Sequence, residues 1–204
     1  MFPSHDRVGG GLITSRGSIS GADSLLNFDV KSDGRLFSRR FGSSAYTGLT
    51  GLRDGTWKHL LITLDYSSGD VKYYLNGVQG GNTDNYGGIY SNNILGSIGR
   101  GGTLYFGGNI DEVSVFKKVL TSTEISQVYN SGVPNDISSL NPFSWWRFEE
   151  GSGTTAKDSG SGGNDGTHST SLGPLYDTDR ILAPKANNTV SFNMEEADIV
   201  EDTP

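Results

Sequence analysis

The stretch DGTWKHLLITLDYSSGDVKYYLNGVQ, residues 54–79, constrains the fold more than any other part of the chain. A glycine turn at 55 opens into a strand predicted from Trp57 to Tyr66, a Ser-Ser-Gly-Asp turn reverses it, and a second strand runs from Val71 to Leu75. Asn76-Gly77 then supplies the preferred dipeptide of a type I′ hairpin, whose two central residues need positive φ, so Val78 begins the returning strand. The same grammar is written upstream in SLLNFDVKSDGRLFSRRF, residues 24–41. There Leu26, Phe28 and Val30 share one face, Ser32-Asp33-Gly34 turns the chain, and it returns through Leu36, Phe37 and Phe41. Further strands are predicted at SIGR (97–100), within LYFGGNIDEVSVFKKVL (104–120) and at FSWWRFE (143–149). Thirty glycines in 204 residues, with nine Tyr, nine Phe and three Trp, suit many short strands joined by tight turns, and the class is all-β.

One segment reads as helix. In TSTEISQVYNSGVP, Thr121 and Glu124 form a capping box, Ile125, Val128 and Tyr129 make one apolar stripe, and Gly132 with Pro134 ends it. It covers about 121–131, at most roughly three turns.

Bulk properties exclude several classes of function. With no cysteine there is no disulfide framework, no thiolate chemistry and no cysteine-based zinc site. A net charge of −7 and a pI near 4.9 argue against a nucleic-acid partner, which needs a basic face. The densest basic spot, SRRF at 38–41, is expected to be a solvated strand edge. No apolar run approaches the roughly 20 residues that span a bilayer, so no membrane insertion is expected. Residues 1–20 lack the apolar segment of a signal peptide, which fits a virion protein or a cytosolic fragment.

Three blocks, DGTWKHLLITLDYSSGDVKYYLNGV, FGGNIDEVSVFKKVLTSTEISQVYNSG and WWRFEEGSGTTAKDSGSGGNDGT, together resemble the signature segments of the laminin-G-like, concanavalin A-like jelly-roll family. The resemblance spans most of residues 12–167 and involves turn, strand and helix punctuation at once. It implies a two-sheet antiparallel jelly-roll sandwich of about a dozen strands with the short helix, frequently with one calcium ion, serving binding or adhesion more than catalysis. In that family the WRFEEGSGTTAKDS block opens the domain and IDEVSVF with its helix closes it, whereas here the closing block comes first. Residues 1–133 then correspond to the later two thirds of a module, 134–142 to a linker, and 143–204 to the opening strands, with NNTVSFNMEEADIVEDTP resembling the strand after the opening loop. Three arrangements satisfy this order: a circular permutant that completes its own sandwich, which is the favoured one, a segment donated to a neighbouring subunit, or a window cut from a tandem array. A sandwich half left alone would expose unpaired edges, so 143–204 must find a partner sheet. The acidic tail would fray unless held. A neighbouring subunit in a larger assembly, such as the capsid, neck or tail of a bacteriophage, is one candidate to hold it.

The candidate chemistry is sparse. The loop KDSGSGGNDG places Asp158, Asn164 and Asp165 on a glycine-rich turn, and hard oxygen donors of this kind suit Ca²⁺. The resemblance adds Asp111 from NIDEV. The alternative is that these Asp and Asn residues hold turns through side-chain to backbone hydrogen bonds. Catalysis is not expected. Glu149-Glu150 and Asp111-Glu112 are strand neighbours that point to opposite faces and cannot flank one glycosidic bond, the E-x-D-x-x-E pattern of glucanases with this architecture is absent, and His5, His59 and His168 are scattered. His59 reads as a packed or edge histidine. Tyr86, Tyr90 and Tyr105 in or near the loop GGNTDNYGGIYSNN could stack on a glycan, or simply decorate loops. Trp146 and Phe148 are assigned to the core, which turns the adjacent Trp145 outward as an interface anchor. The expected function is a structural or adhesion module on a virion or other extracellular assembly, contacting other copies of itself or neighbouring structural proteins and surface glycans. The rival is a calcium-dependent carbohydrate-binding module of a secreted enzyme or adhesin, with a glycoside hydrolase third.

Overall fold

Turn chemistry sets the strand ends. In the computed structural model of the chain, residues 10–16, 24–40, 43–85, 94–101, 104–167 and 189–194 are described. The first sheet begins with β1 (Gly10–Arg16), β2 (Ser24–Val30), β3 (Leu36–Arg40) and β4 (Ser43–Tyr46), and the second with β5 (Leu60–Leu64), β6 (Asp70–Leu75) and β7 (Val78–Asn85). The chain returns to the first sheet for β8 (Ile94–Ile98), β9 (Arg100–Gly101) and β10 (Leu104–Tyr105), then crosses to the second for β11 (Asp111–Phe116). Helix α1 (Ser122–Tyr129) and 3₁₀ turns at Asn130–Gly132 and Ser138–Leu140 lead to β12 (Ser144–Trp146), the ribbon of β13 (Thr155–Ala156) with β14 (Gly166–Thr167), and β15 (Thr189–Met194).

Asn76 (φ 51°) and Gly77 (φ 76°) make the tight turn between β6 and β7. Asn76 also locks the start of β5, because its Oδ1 accepts the His59 N–H at 3.0 Å while its own N–H donates to the His59 carbonyl at 2.8 Å. At the other end Asp65 Oδ1 accepts the Ser67 N–H at 2.8 Å, a turn that stops β5 before Tyr66 and makes it shorter than the predicted 57–66. The capping box of α1 has both its bonds: Glu124 N–H to Thr121 Oγ1, and Thr121 N–H to Glu124 Oε2. The helix ends at Asn130, whose left-handed backbone (φ 40°) takes the position that the sequence pattern assigned to Gly132.

The seven-stranded sheet has the order β4-β3-β2-β1-β10-β9, with β8 also paired to β1, and the six-stranded sheet the order β12-β11-β15-β5-β6-β7. Most ladders are antiparallel, as the all-β sandwich requires. Among the described strands the parallel joins are β1 with β10 and β15 with both β5 and β11. Leu12, Ile13, Phe28, Val30 and Leu36 from the first sheet meet Leu60, Ile62, Leu64, Val71, Tyr73, Val113 and Trp146 from the second in the inter-sheet core.

A second apolar layer lies on the far side of the six-stranded sheet, where Ile125 and Val128 of α1, with Leu120, Ile137 and Leu140, cover Leu61, Phe116 and Trp145. With both faces covered, β5 is buried at every position, LLITL, and shows no alternation. This layer corrects the expectation for Trp145. Strand alternation does send Trp145 and Trp146 to opposite faces, but the face that Trp145 takes lies beneath the helix, where it is only 5% exposed. A tryptophan so enclosed is a packing residue, not an outward anchor.

Candidate functional site

The outer face of the seven-stranded sheet is built by the alternation of β2 and β3. Phe28 and Val30 point into the inter-sheet core, so Asn27 and Asp29 take the opposite face; Leu36 and Ser38 point inward, which leaves Phe37 and Arg39 outward. The registers line these positions into rows across the sheet. One row runs Tyr46, Phe37, Asp29, Gly11, Tyr105, Arg100, and the next runs Ser44, Arg39, Asn27, Thr14, Ser97.

The contacts within the first row are specific. The Phe37 and Tyr46 rings meet edge to face at 5.1 Å between centroids. The Lys31 ammonium sits 4.2 Å from the Phe37 centroid and is paired with Asp29 at 3.2 Å, while the Arg35 guanidinium lies 3.7 Å from the Tyr46 centroid and is paired with Asp33. The hydrogen bond from Arg35 holds the exposed Asp33 carboxyl below its ordinary range. Tyr46 remains 42% exposed. In the second row Arg39 is exposed and, among the described residues, has no carboxylate partner; opposite it, Asn27 is 5% exposed and its Oδ1 finds no hydrogen-bond partner there. An aromatic pair, an unopposed guanidinium and an unsatisfied buried acceptor thus occupy adjacent rows of one face. Because the two rings stand edge to face, each with a cation on one face, they form no flat platform; the exposed Tyr46 ring is the part of the pair that can stack on a ring, with Arg39 nearby to bind an anionic substituent.

The glycine-rich loop does something different. Asp158 Oδ1 accepts the N–H groups of Trp145 (2.7 Å) and Gly160 (2.8 Å), and its Oδ2 accepts that of Asn164 (2.7 Å). Asp165 Oδ1 accepts the Asp158 N–H at 2.9 Å, and its Oδ2 pairs with the Lys157 ammonium, which pushes the Asp165 carboxyl down and the Lys157 ammonium up from their ordinary values. Asn164 donates through Nδ2 to Ser144 Oγ and accepts the Trp146 indole N–H on its carbonyl. The loop is a clasp that fastens β12 by its own hydrogen bonds.

Asp111 lies buried in β11 with its Oδ1 on the Glu112 N–H at 3.1 Å. A calcium site needs about six to eight oxygen donors. Among the described residues no group of three or more His, Asp or Glu side chains that could hold a metal is brought together, and the carboxylate oxygens of Asp158 and Asp165 are already engaged. The residues present do not fit the ion.

The remaining candidates separate widely. Tyr86, Tyr90, His5 and His168 lie outside the described residues, and Tyr105 is placed in β10 opposite Gly11. Glu149 is exposed, whereas Glu150 accepts the Lys157 N–H at 2.7 Å through Oε1. Glu112 sits in a bulge of β11 with φ 51°, buried, with Oε2 on the Trp145 indole N–H at 2.7 Å and Arg147 Nε 3.6 Å from Oε1. His59 is buried against the Tyr129 ring, neither ring nitrogen has a hydrogen-bond partner among the described residues, and desolvation lowers its pKa to about 4.

Sequence reasoning missed the Phe37–Tyr46 and Asn27–Arg39 pairs. The available signal was the phase of alternation in β3: with Leu36 inward, Phe37 and Arg39 must be outward, and β3 lies between β2 and β4, so Ser38, Arg39 and Arg40 belong to an interior strand and not to an edge.

Comparison with known families finds one match: the laminin-G-type family model of the concanavalin A-like lectin/glucanases superfamily covers residues 6–126, from before β1 into α1. No curated protein and no solved structure matches the chain.

Proposed function

This chain belongs to the concanavalin A-like lectin/glucanases superfamily, and we propose that it is a non-enzymatic binding module that takes a saccharide on the outer face of its seven-stranded sheet. The observation that carries this reading is the juxtaposition of the exposed Tyr46, edge to face with the half-buried Phe37, with Arg39 in the neighbouring row. A sugar ring laid against Tyr46 brings its substituents toward the second row, where a carboxylate on the ring meets the exposed Arg39. Tyr105 stays in the proposal from the sequence pattern, with its backbone in register with Gly11 in the first row. Tyr86 and Tyr90 stay in the proposal as loop contributors from the sequence pattern.

The setting proposed is the surface of a virion or another extracellular assembly, where such a module attaches its carrier to glycan. Among the described residues no helix is long and apolar enough to cross a membrane. The non-enzymatic reading is supported by where the carboxylates lie: Glu112 is buried with one oxygen on the Trp145 indole N–H, and Glu150 accepts the Lys157 N–H on Oε1. Calcium is not part of the binding step: an ion at the 157–166 loop would have to displace the N–H donors and the ammonium already on Asp158 and Asp165.

The test is a glycan array followed by titration of the hits against Tyr46→Ala and Arg39→Ala. Loss of a stacking ring is expected to weaken binding by about tenfold, the equivalent of ~1.4 kcal/mol. Arg39→Ala should weaken carboxylated saccharides selectively. Wild-type protein that binds no glycan, or variants that bind as well as wild type, would overturn the assignment of this face; sugar hydrolysis lost in Glu149→Gln or Glu150→Gln would overturn the non-enzymatic reading.

A further inference from the structure

The six-stranded sheet has a strand in its middle that comes from the far end of the chain. β15 pairs with β5 from Val190↔Leu60 through Met194↔Leu64, and on its other side with β11 from Asp111↔Thr189 to Phe116↔Asn193. The segment that matches the family model, residues 6–126, contains β1–β11 and supplies no strand of its own for this position. We infer that the gap between β5 and β11 is a strand-acceptor site, and that its ligand, an extended segment with the sequence of residues 189–194, can be supplied by a second copy of this chain.

The gap cannot stand empty at low cost. Leu60, Ile62 and Leu64 of β5 face the inter-sheet core, while Leu61 of β5 and Phe116 of β11 face the layer under α1, so both sides of the sheet are sealed by apolar side chains. Backbone N–H and C=O groups lining an unfilled gap there would be cut off from water and left unpaired. An incoming strand satisfies both edges at once, which is the physics of strand complementation.

The connection allows the donor to be another molecule. A strand parallel to both neighbours cannot be reached by a tight turn and needs a crossover. Residues 168–188 separate β14 from β15, a stretch whose extended reach is at most roughly 70 Å. The entropic cost of closure grows only slowly with the number of residues in a connection, so a connection of this length admits either closure on its own sheet or spanning to a neighbour. Closure in cis has an effective concentration of about millimolar, so dilute chains close on themselves and exchange sets in when local concentration approaches that range, as in an ordered array.

The variant Ser191→Pro/Asn193→Pro of the 204-residue chain, which removes two ladder donors from β15, tests the site with a synthetic peptide of residues 187–197, NNTVSFNMEEA. The variant is expected to lose its cooperative thermal transition or have it lowered by more than about 10 °C, and the peptide should restore it in a saturable way, while the same peptide carrying both prolines should not. A variant as stable as wild type, or one that folds but ignores the peptide, overturns the inference. Because the variant can fail to fold outright, wild-type chain is also refolded from denaturant with labelled peptide held well above the roughly millimolar effective concentration of its own β15. Stoichiometric capture of the native-sequence peptide and not of the proline peptide supports the site, and equal capture of both, or of neither, overturns it. Failure here leaves the saccharide face untouched, since that face lies on the other sheet.

Discussion

The two sheets turn very different outer faces to their surroundings. That of the six-stranded sheet is roofed by α1 and the 3₁₀ turn at Ser138–Leu140, so its side chains are as enclosed as those between the sheets: Leu61 and Phe116 are both 0% exposed. That of the seven-stranded sheet shows no such apolar roof among the described residues and carries Asp29 with Lys31, the Phe37–Tyr46 pair, Arg39 and Asn27. One outer face is therefore spent on stability. The other leaves the Tyr46 ring 42% exposed and Arg39 without a carboxylate partner among the described residues; an unpartnered buried polar atom does not separate the two faces, since among the described residues His59 beneath the helix lacks a hydrogen-bond partner as Asn27 Oδ1 does. The difference in exposure supports the proposed placement of binding on the first sheet.

Truncating one aromatic on each face should break this comparison most visibly if it is wrong. Phe116→Ala empties a sealed position, and a loss of roughly 3–5 kcal/mol is expected from the transfer and cavity terms together. Phe37→Ala removes a half-buried ring that contacts Tyr46 and the Lys31 ammonium, and a loss of about 1 kcal/mol is expected. Urea unfolding of both variants checks this, and equal losses would mean that the two faces are packed alike.

A sharper probe of the roofed face is His59, which is 2% exposed and packs against Tyr129 of the helix. Burial lowers its pKa from the model-compound value of 6.5 to about 4. The unfolded chain therefore binds the proton first as pH falls, so the stabilising difference is complete above pH 6.5 and is lost progressively between pH 6.5 and 4. The loss should approach about 3 kcal/mol at the acid end, given roughly 1.36 kcal/mol per unit. Unfolding free energies across that range, for wild type and His59→Leu, test it; the variant should lack this component of the acid slope, and an unchanged slope would assign the loss to other groups.

What could be read in the sequence depended on whether a signal was local. Asn76-Gly77 and the Thr121–Glu124 box are complete within four residues, and each is found in the structure with its φ values or hydrogen bonds in place. The Trp145–Trp146 alternation was legible too, but its meaning was not, because whether an outward face meets water depends on α1 packing back over it. Continuous burial of β5 likewise hides which residues face which layer, since period-two patterning vanishes when both sides are covered. The proposed saccharide face was least legible: it rests on the registers that set Phe37 beside Tyr46 and Asn27 beside Arg39, and pairings between strands leave little trace in composition.

The smallest expected effect separates the clasp at residues 157–166 from both outer faces. The aspartates there resemble a cation loop in sequence, yet Asp158 fastens Trp145, Gly160 and Asn164 through backbone N–H groups and Asp165 is neutralised by Lys157. If hydrogen bonds and not an ion hold this loop, millimolar Ca²⁺ or a chelator should move the melting temperature by less than about 1 °C, well inside what a 1 kcal/mol change produces in a domain of this size. Asp158→Asn should nonetheless cost roughly 1–2 kcal/mol, because one acceptor oxygen becomes a donor facing N–H groups. The two measurements divide the possibilities cleanly: a chelator effect that Asp158→Asn abolishes would place a cation in the clasp, whereas a costly variant with no chelator effect means that the carboxylate itself is the structural element, working on β12 from outside the sheet.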